Sequence, residues 1–316
     1  MYASLGQFIW LLPNSHHIRP VNPFAGCDAS DKISTLVFQL PAFHLAVGSE
    51  VVPTRPTRPT MSLLFGLEAP APSDSYGAEK DEAREIQNSL MPSGTLRNAS
   101  IEIAYRFSPF AEVGGDFADF YILPNGTAGL YIGDVVGKGL AAAMYAALVM
   151  GMLRGINKTG EQPSAVLATL NKRLLVRPVQ GRFATTLYAV YDSTSRELTF
   201  SNAGMPYPLL ACASGCRQLQ VAGLPSGMFP GSSYDVHRVC LSPGDSVLFA
   251  TDGLHELQGA NGDDFGWQRM ADIWKECQGM SADESLQCLL RAARDFAVDG
   301  LQHDDITAIA LKIPLR

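Results

Sequence analysis

The chain has 316 residues, 47% of them hydrophobic and 17% charged, with 31 acidic against 24 basic side chains and a net charge of −7. This composition fits a globular protein of one large domain plus an appendage and excludes a fibre or a wholly disordered chain. The negative surplus offers no field for binding a nucleic-acid backbone. No stretch reaches the roughly 18 to 20 uninterrupted apolar residues of a helical membrane span, and the six scattered cysteines, without CxxC spacing, point to reduced thiols and a cytoplasmic protein.

In chain order, residues 1–60 carry scattered Pro and Gly and a tandem PTRPTRPT at 53–60. The repeat is polyproline-prone and reads as a spacer, with a docking peptide for a proline-binding groove as the alternative. Residues 1–12 lack a basic n-region and a clean cleavage site, so no signal peptide is expected. Met61, directly after the repeat, is a candidate start. A Pro/Ser/Asp stretch from Glu68 to Tyr76 extends the linker, and order is expected from about Gly77. The expected domains are therefore an N-terminal segment 1–77 and a folded domain 78–316.

Residues 78–90 (AEKDEAREIQNSL) contain no helix breaker and place Ala83, Ile86 and Leu90 at helical spacing before Pro92, which predicts a short amphipathic helix. Alternating residues predict strands at 101–107, 118–123, 128–133, 184–191 and 246–251, bounded by turn signals such as Pro-Asn-Gly at 124–126 and Pro-Gly-Asp at 243–245. The run LAAAMYAALVMGMLRGI after Gly139 is apolar nearly all round and predicts a buried helix. Helices are expected at 163–176, 268–278 and 283–297, and a last strand at 306–313. Cys212 and Cys216 enclose a hairpin turn, and Trp267 and Trp274 fit the core side of a helix. Long helices among strands with antiparallel-looking neighbours predict an α+β layered sandwich.

The chemistry lies in aspartates at strand ends beside glycines. Asp116 and Asp119 lie in GGDFADF, Asp134 in GDVVGKG, Asp252 in TDG, and Asp304 and Asp305 in HDDITAIAL. Any one such motif is an ordinary turn or helix cap; several together suggest carboxylates gathered for a hard divalent cation, which prefers oxygen ligands. GDVVGKG is not a phosphate loop, since three residues rather than four separate its glycines and Gly139 follows Lys138. Lys138 reads as a helix-start residue able to attract a phosphate. His255 and His303 read as exposed loop histidines, with proton shuttling as the alternative.

AREIQNSLMP (83–92), VGGDFADF (113–120), GDVVGKGLAAAM (133–144), FATTLYAVYD (183–192), SNAGMPYPLL (201–210), TDGLHE (251–256), GDDFG (262–266) and HDDITAIALK (303–312) together resemble the bacterial PPM-type (protein phosphatase 2C-like) serine/threonine phosphatases of the SpoIIE class, which includes regulators of alternative sigma factors. The resemblance spans about 83–316. It implies a four-layer α-β-β-α sandwich, two Mn²⁺ or Mg²⁺ ions, and hydrolysis of phosphoserine or phosphothreonine on a regulatory partner, an anti-sigma-factor antagonist by analogy; a homodimer is allowed for. Carried over by position, Asp134 would bridge the two metals, with the Val135 carbonyl on one of them. Asp252 and Asp304 would bind the second metal, and Asp116 would lie close by. Asp119 and Asp305 have weaker claims, between ordering water and a structural role. Gly115, Gly137 and Gly253 would permit tight turns or close backbone approach, and Asn202 and Gly204 match a turn that shapes the site.

The pattern departs from that of relatives at Val136, where eukaryotic members carry His, at Met205, where many carry His, and at Ser226, where many carry Leu. The helix at 83–90 resembles a segment that links sensors to the phosphatase and controls metal-site assembly. A catalytically silent, protein-binding relative is the alternative reading, and a two-metal phosphodiesterase is a weaker one because His-rich ligand sets are absent.

Overall fold

The computed structural model describes residues 72–156, 160–297 and 302–315; the expectations for residues 1–71 lie outside them. Alternating apolar patterns build two antiparallel sheets. The first runs β1 (Leu96–Arg97), β2 (Glu102–Ser108), β11 (Ile306–Lys312), β10 (Ser246–Ala250), β7 (Leu209–Cys212), β8 (Gly215–Gln218). The second runs β3 (Phe117–Ile122), β4 (Ala128–Val135), β5 (Ala184–Asp192), β6 (Glu197–Ala203), β9 (His237–Cys240). Successive strand residues point to opposite faces, and both faces here are apolar. Leu130 and Ile132 of β4 meet Ile103, Phe249 and Ile309 of the other sheet in a central core. Tyr131, one residue along, faces outward among Tyr145, Val149 and Leu153.

Helices cover each outer face. α1 (Pro72–Leu90) precedes the first strand, and α2 (Leu140–Ile156) and α3 (Pro163–Leu174) lie on the five-stranded sheet. A single turn, α4 (Asp252–His255), follows β10. α5 (Gly266–Glu276) and α6 (Ala282–Phe296) lie on the six-stranded sheet, where Trp274, Met270, Leu286 and Leu289 pack on Leu248, Ala308 and Ala310. The result is the expected four-layer α-β-β-α sandwich, and no helix among the described residues is long and apolar enough to cross a membrane.

Three expectations change. α1 begins at Pro72 and so takes in part of the stretch read as linker; proline is compatible with a first helical turn because its missing N–H has no helical partner there. α2 has the expected bounds but is not buried all round, since Leu140, Met144 and Leu148 are exposed, Met144 by 69%. An outer-layer helix has only one face to bury, and these residues at i, i+4 and i+8 lie on the other. Trp274 is fully buried, whereas Trp267 is half-buried.

α6 owes its start to a reciprocal cap. The Ser281 hydroxyl accepts the Glu284 N–H at 3.3 Å, and the Glu284 carboxylate accepts the Ser281 N–H at 2.9 Å. Replacing Ser281 by Ala is expected to cost about 1 kcal/mol, measured as a lower urea midpoint with unchanged slope.

Candidate metal centre

Antiparallel pairing puts the end of one strand beside the start of its neighbour. Phe117, which opens β3, pairs with Gly133 near the end of β4, and Ala250, which ends β10, pairs with Ala308 near the start of β11. Asp116, Asp134, Asp252 and Asp304 occupy these ends, one from each strand. Thr251 ties the two sheets together there: its hydroxyl donates to Asp116 Oδ2 at 2.9 Å and accepts the Thr307 N–H at 2.9 Å.

The site is short of countercharge. Asp116 is buried, and burial first, then the Asp305 and Asp252 charges, push its carboxyl well above the usual range against the opposing Thr251 hydrogen bond. Burial, followed by the charges of Asp116, Asp252, Asp304 and Asp305, does the same to Asp134. Asp252 is raised by burial and by Asp304, with Lys138 opposing. Asp304 is half-exposed and paired with Lys138, whose Nζ lies 2.9 Å from its Oδ2. Lys138 also donates to the His303 carbonyl and lies 5.0 Å from the Phe110 ring centroid.

Among the described residues no three acidic, His or Cys side chains stand ready as a complete cation cage; Asp304 is paired with Lys138, and Asp116 accepts from the Thr251 hydroxyl. The donor set nevertheless suits a hard divalent cation: it consists of carboxylate and carbonyl oxygens, and bound cations relieve the repulsion that raises these carboxyls. The Val135 carbonyl and Asp134 Oδ1 both crowd Gly115, where a Cβ would come within 2.8 and 2.9 Å of them. Only glycine admits that approach. Gly253 is held closer still to the Asp305 carbonyl.

The remaining candidates separate by their contacts. Asp305 is buried and accepts the N–H groups of Phe110 at 2.8 Å and Gly115 at 2.7 Å, so it clamps the 109–115 loop behind Asp116. Asp119 stands apart from the cluster, paired with Arg154 of α2 at 2.7 Å and accepting from the Tyr131 hydroxyl at 3.3 Å. Asn202 accepts the Met205 N–H at 2.8 Å and donates to the Met205 and Val221 carbonyls at 2.8 and 2.9 Å, shaping its turn. Met205 and Ser226 are buried in the fold. His303 is exposed as expected, but His255 is not: it stacks on Trp267 with ring centroids 4.4 Å apart, and burial lowers its pKa to about 4.

Sequence reasoning missed Gln87 and Thr251. The Gln87 amide of α1 donates to the Gly114 carbonyl at 2.8 Å and accepts the Gly114 N–H at 3.1 Å. This clasp, with the Lys80–Glu112 pair at 2.8 Å, holds α1 to the loop that leads into Asp116. Gln87 lies within AREIQNSLMP, but that segment attaches no role to it, so only its contacts reveal one.

Two sheets between helix layers, with carboxylates at the strand ends, define a PP2C-type fold. The SiaA-PP2C domain of Pseudomonas aeruginosa superposes with a TM-score of 0.67 at 22% identity, over 75% of this chain and 96% of that one. The family model for Stage II sporulation protein E (SpoIIE) matches residues 124–314, and the chain belongs to that family. Similar curated proteins include phosphoserine phosphatase RsbU of Bacillus subtilis, 25% identical over 243 residues covering 74% of this chain and 70% of RsbU. Protein IcfG of Synechocystis is 24% identical over 262 residues; the match takes in 74% of this chain but only 41% of IcfG.

Two outcomes are expected of the isolated site. Asp305→Ala, which orphans the buried Gly115 N–H and the part-buried Phe110 N–H, should destabilise the domain by about 1–3 kcal/mol in urea unfolding. In excess chelator Asp134→Asn should instead stabilise it by about 0.5–2 kcal/mol, because it removes a half-buried, repelled charge. The pH dependence follows the same sign. A carboxyl with a raised folded pKa binds its proton more tightly when folded, so Asp116 and Asp134 add stability as pH falls from their folded values toward the unfolded value of about 3.9. The Asp134→Asn variant should show a shallower rise, measured as the melting temperature against pH in chelator.

Proposed function

We propose that this chain is a metal-dependent protein phosphatase that hydrolyses phosphoserine or phosphothreonine on a regulatory partner. The observation that carries the reading is the gathering of buried Asp116 and half-buried Asp134 and Asp252 as mutually repelling carboxylates beside Asp304, an arrangement that costs folding energy and has a use if cations occupy it. Asp134, with the Val135 carbonyl, would hold the bridging position, Asp252 and Asp304 the second ion, and Asp116 would lie beside the first. Two Mn²⁺ or Mg²⁺ ions, when bound, supply positive charge for the phosphoryl group and an acidified water as nucleophile.

The chain's own residues do the rest. Asp305 and Gln87 fix the loop that carries Asp116. Gly115 lets the Val135 carbonyl and the Asp134 carboxylate face the same point. Lys138, opposite Asp304, is placed to meet phosphoryl oxygens once a cation takes its partner. Val136 stands where eukaryotic relatives carry His, so no side chain at that position serves as an acid for the leaving alkoxide.

The proposed domain is 78–316, entered through a regulatory helix that the Gln87 clasp joins to the site. The similarity to RsbU supports a phosphorylated regulator as substrate, with an anti-sigma-factor antagonist in the cytoplasm as the working case. A silent, protein-binding relative is the lesser reading, since such a protein has no need to keep buried carboxylates that oppose its folding.

p-Nitrophenyl phosphate turnover should require Mn²⁺ or Mg²⁺, vanish in chelator, and fall at least ~100-fold in Asp134→Asn. Turnover indifferent to chelator or to that substitution would overturn the mechanism.

A further inference from the structure

From Gln162 to Tyr191 the chain has no Asp or Glu but four basic residues, Lys172, Arg173, Arg177 and Arg182, within a protein of net charge −7. Lys172 and Arg173 lie in the last turn of α3, and Arg177 and Arg182 in the loop that leads to β5. Among the described residues no ion pair joins any of the four to a carboxylate. Val176 and Val179 stand between them, exposed by 77% and 50%. Favourable charge at a helix C-terminus accounts for Lys172 and Arg173, but not for Arg177 or for two exposed valines.

The loop is built rather than loose, and it adjoins the metal centre. The Arg182 N–H donates to the Val179 carbonyl at 3.0 Å, and the Val136 N–H donates to the Phe183 carbonyl at 3.1 Å. The Arg182 guanidinium donates to the Val136 carbonyl. Val136 directly follows Asp134 and Val135, so the basic, apolar surface begins one residue beyond two of the candidate ligands.

We propose that residues 172–182 form a docking surface for an acidic segment beside the phosphoserine of the partner protein. The inference rests on the phosphatase reading and names the substrate class for that site. Charge complementarity selects the occupant, since a segment whose phosphoryl group reaches the carboxylate cluster passes Val136 and Arg182, from which the basic stretch continues back along the chain to Arg177. Two valines are too small an apolar surface to anchor a membrane.

The test uses two short fluorescein-labelled phosphoserine peptides, one flanked by Asp and Glu and the other by Lys, with the full chain at low salt. Wild type should bind the acidic peptide at least about tenfold tighter, and Arg173→Glu/Arg177→Glu should erase that preference while p-nitrophenyl phosphate turnover is unchanged. Arg173→Gln/Arg177→Gln, a milder change, should give an intermediate preference, with circular dichroism confirming the fold of both variants. Equal binding of the two peptides by wild type, an undiminished preference in the Glu variant, or tighter binding to phosphatidylserine vesicles than to the acidic peptide would overturn the proposal. Absence of metal-dependent p-nitrophenyl phosphate turnover in wild type would instead overturn the phosphatase reading, and the peptide anisotropy would still decide the docking surface.

Discussion

Electrostatic repulsion among carboxylates that are wholly or partly buried is the feature around which this fold is arranged. Asp116, Asp134 and Asp252 are pressed together with Lys138 as the opposing cation, and that lysine is engaged with Asp304. A buried charge without a partner is among the costlier features a fold can carry. The two sheets supply what holds it: the carboxylates sit at the ends of strands whose middles are locked by ladders and by the central core.

Around that centre, polar side chains act as ties. Thr251 spans the two sheets, Asp305 grips two N–H groups of the loop before β3, and Gln87 clasps the same loop from α1. Each satisfies buried backbone or carboxylate groups that would otherwise be unpaired. The ties also make the loop before Asp116 a shared element: α1, Asp305 at the start of β11 and the carboxylate cluster all meet it.

Much of the architecture is legible in the sequence because its signals are local. Periodicity locates α2, α6, β5 and β11 to within a residue or two, and the Cys212–Cys216 turn is the β7–β8 hairpin. The start of α1 escapes such reading because Pro, Ser and Asp serve both linkers and first helical turns. The exposed stripe of α2 escapes it because composition does not say how many neighbours a helix has. The burial of His255 depends on Trp267, which follows twelve positions later and packs back on it.

Residue types are written in the chain alone: oxygen donors beside glycines, alternating strands enough for a sandwich, and a basic stretch in an acidic protein. Resemblance orders those motifs into a family. Which aspartates share one environment is settled only in three dimensions, where Asp119 is set against Arg154 and Asp305 against backbone while Asp116, Asp134 and Asp252 are left to repel one another. The reason is that repulsion and burial depend on distance in space, and antiparallel pairing brings together strand ends that lie far apart along the chain.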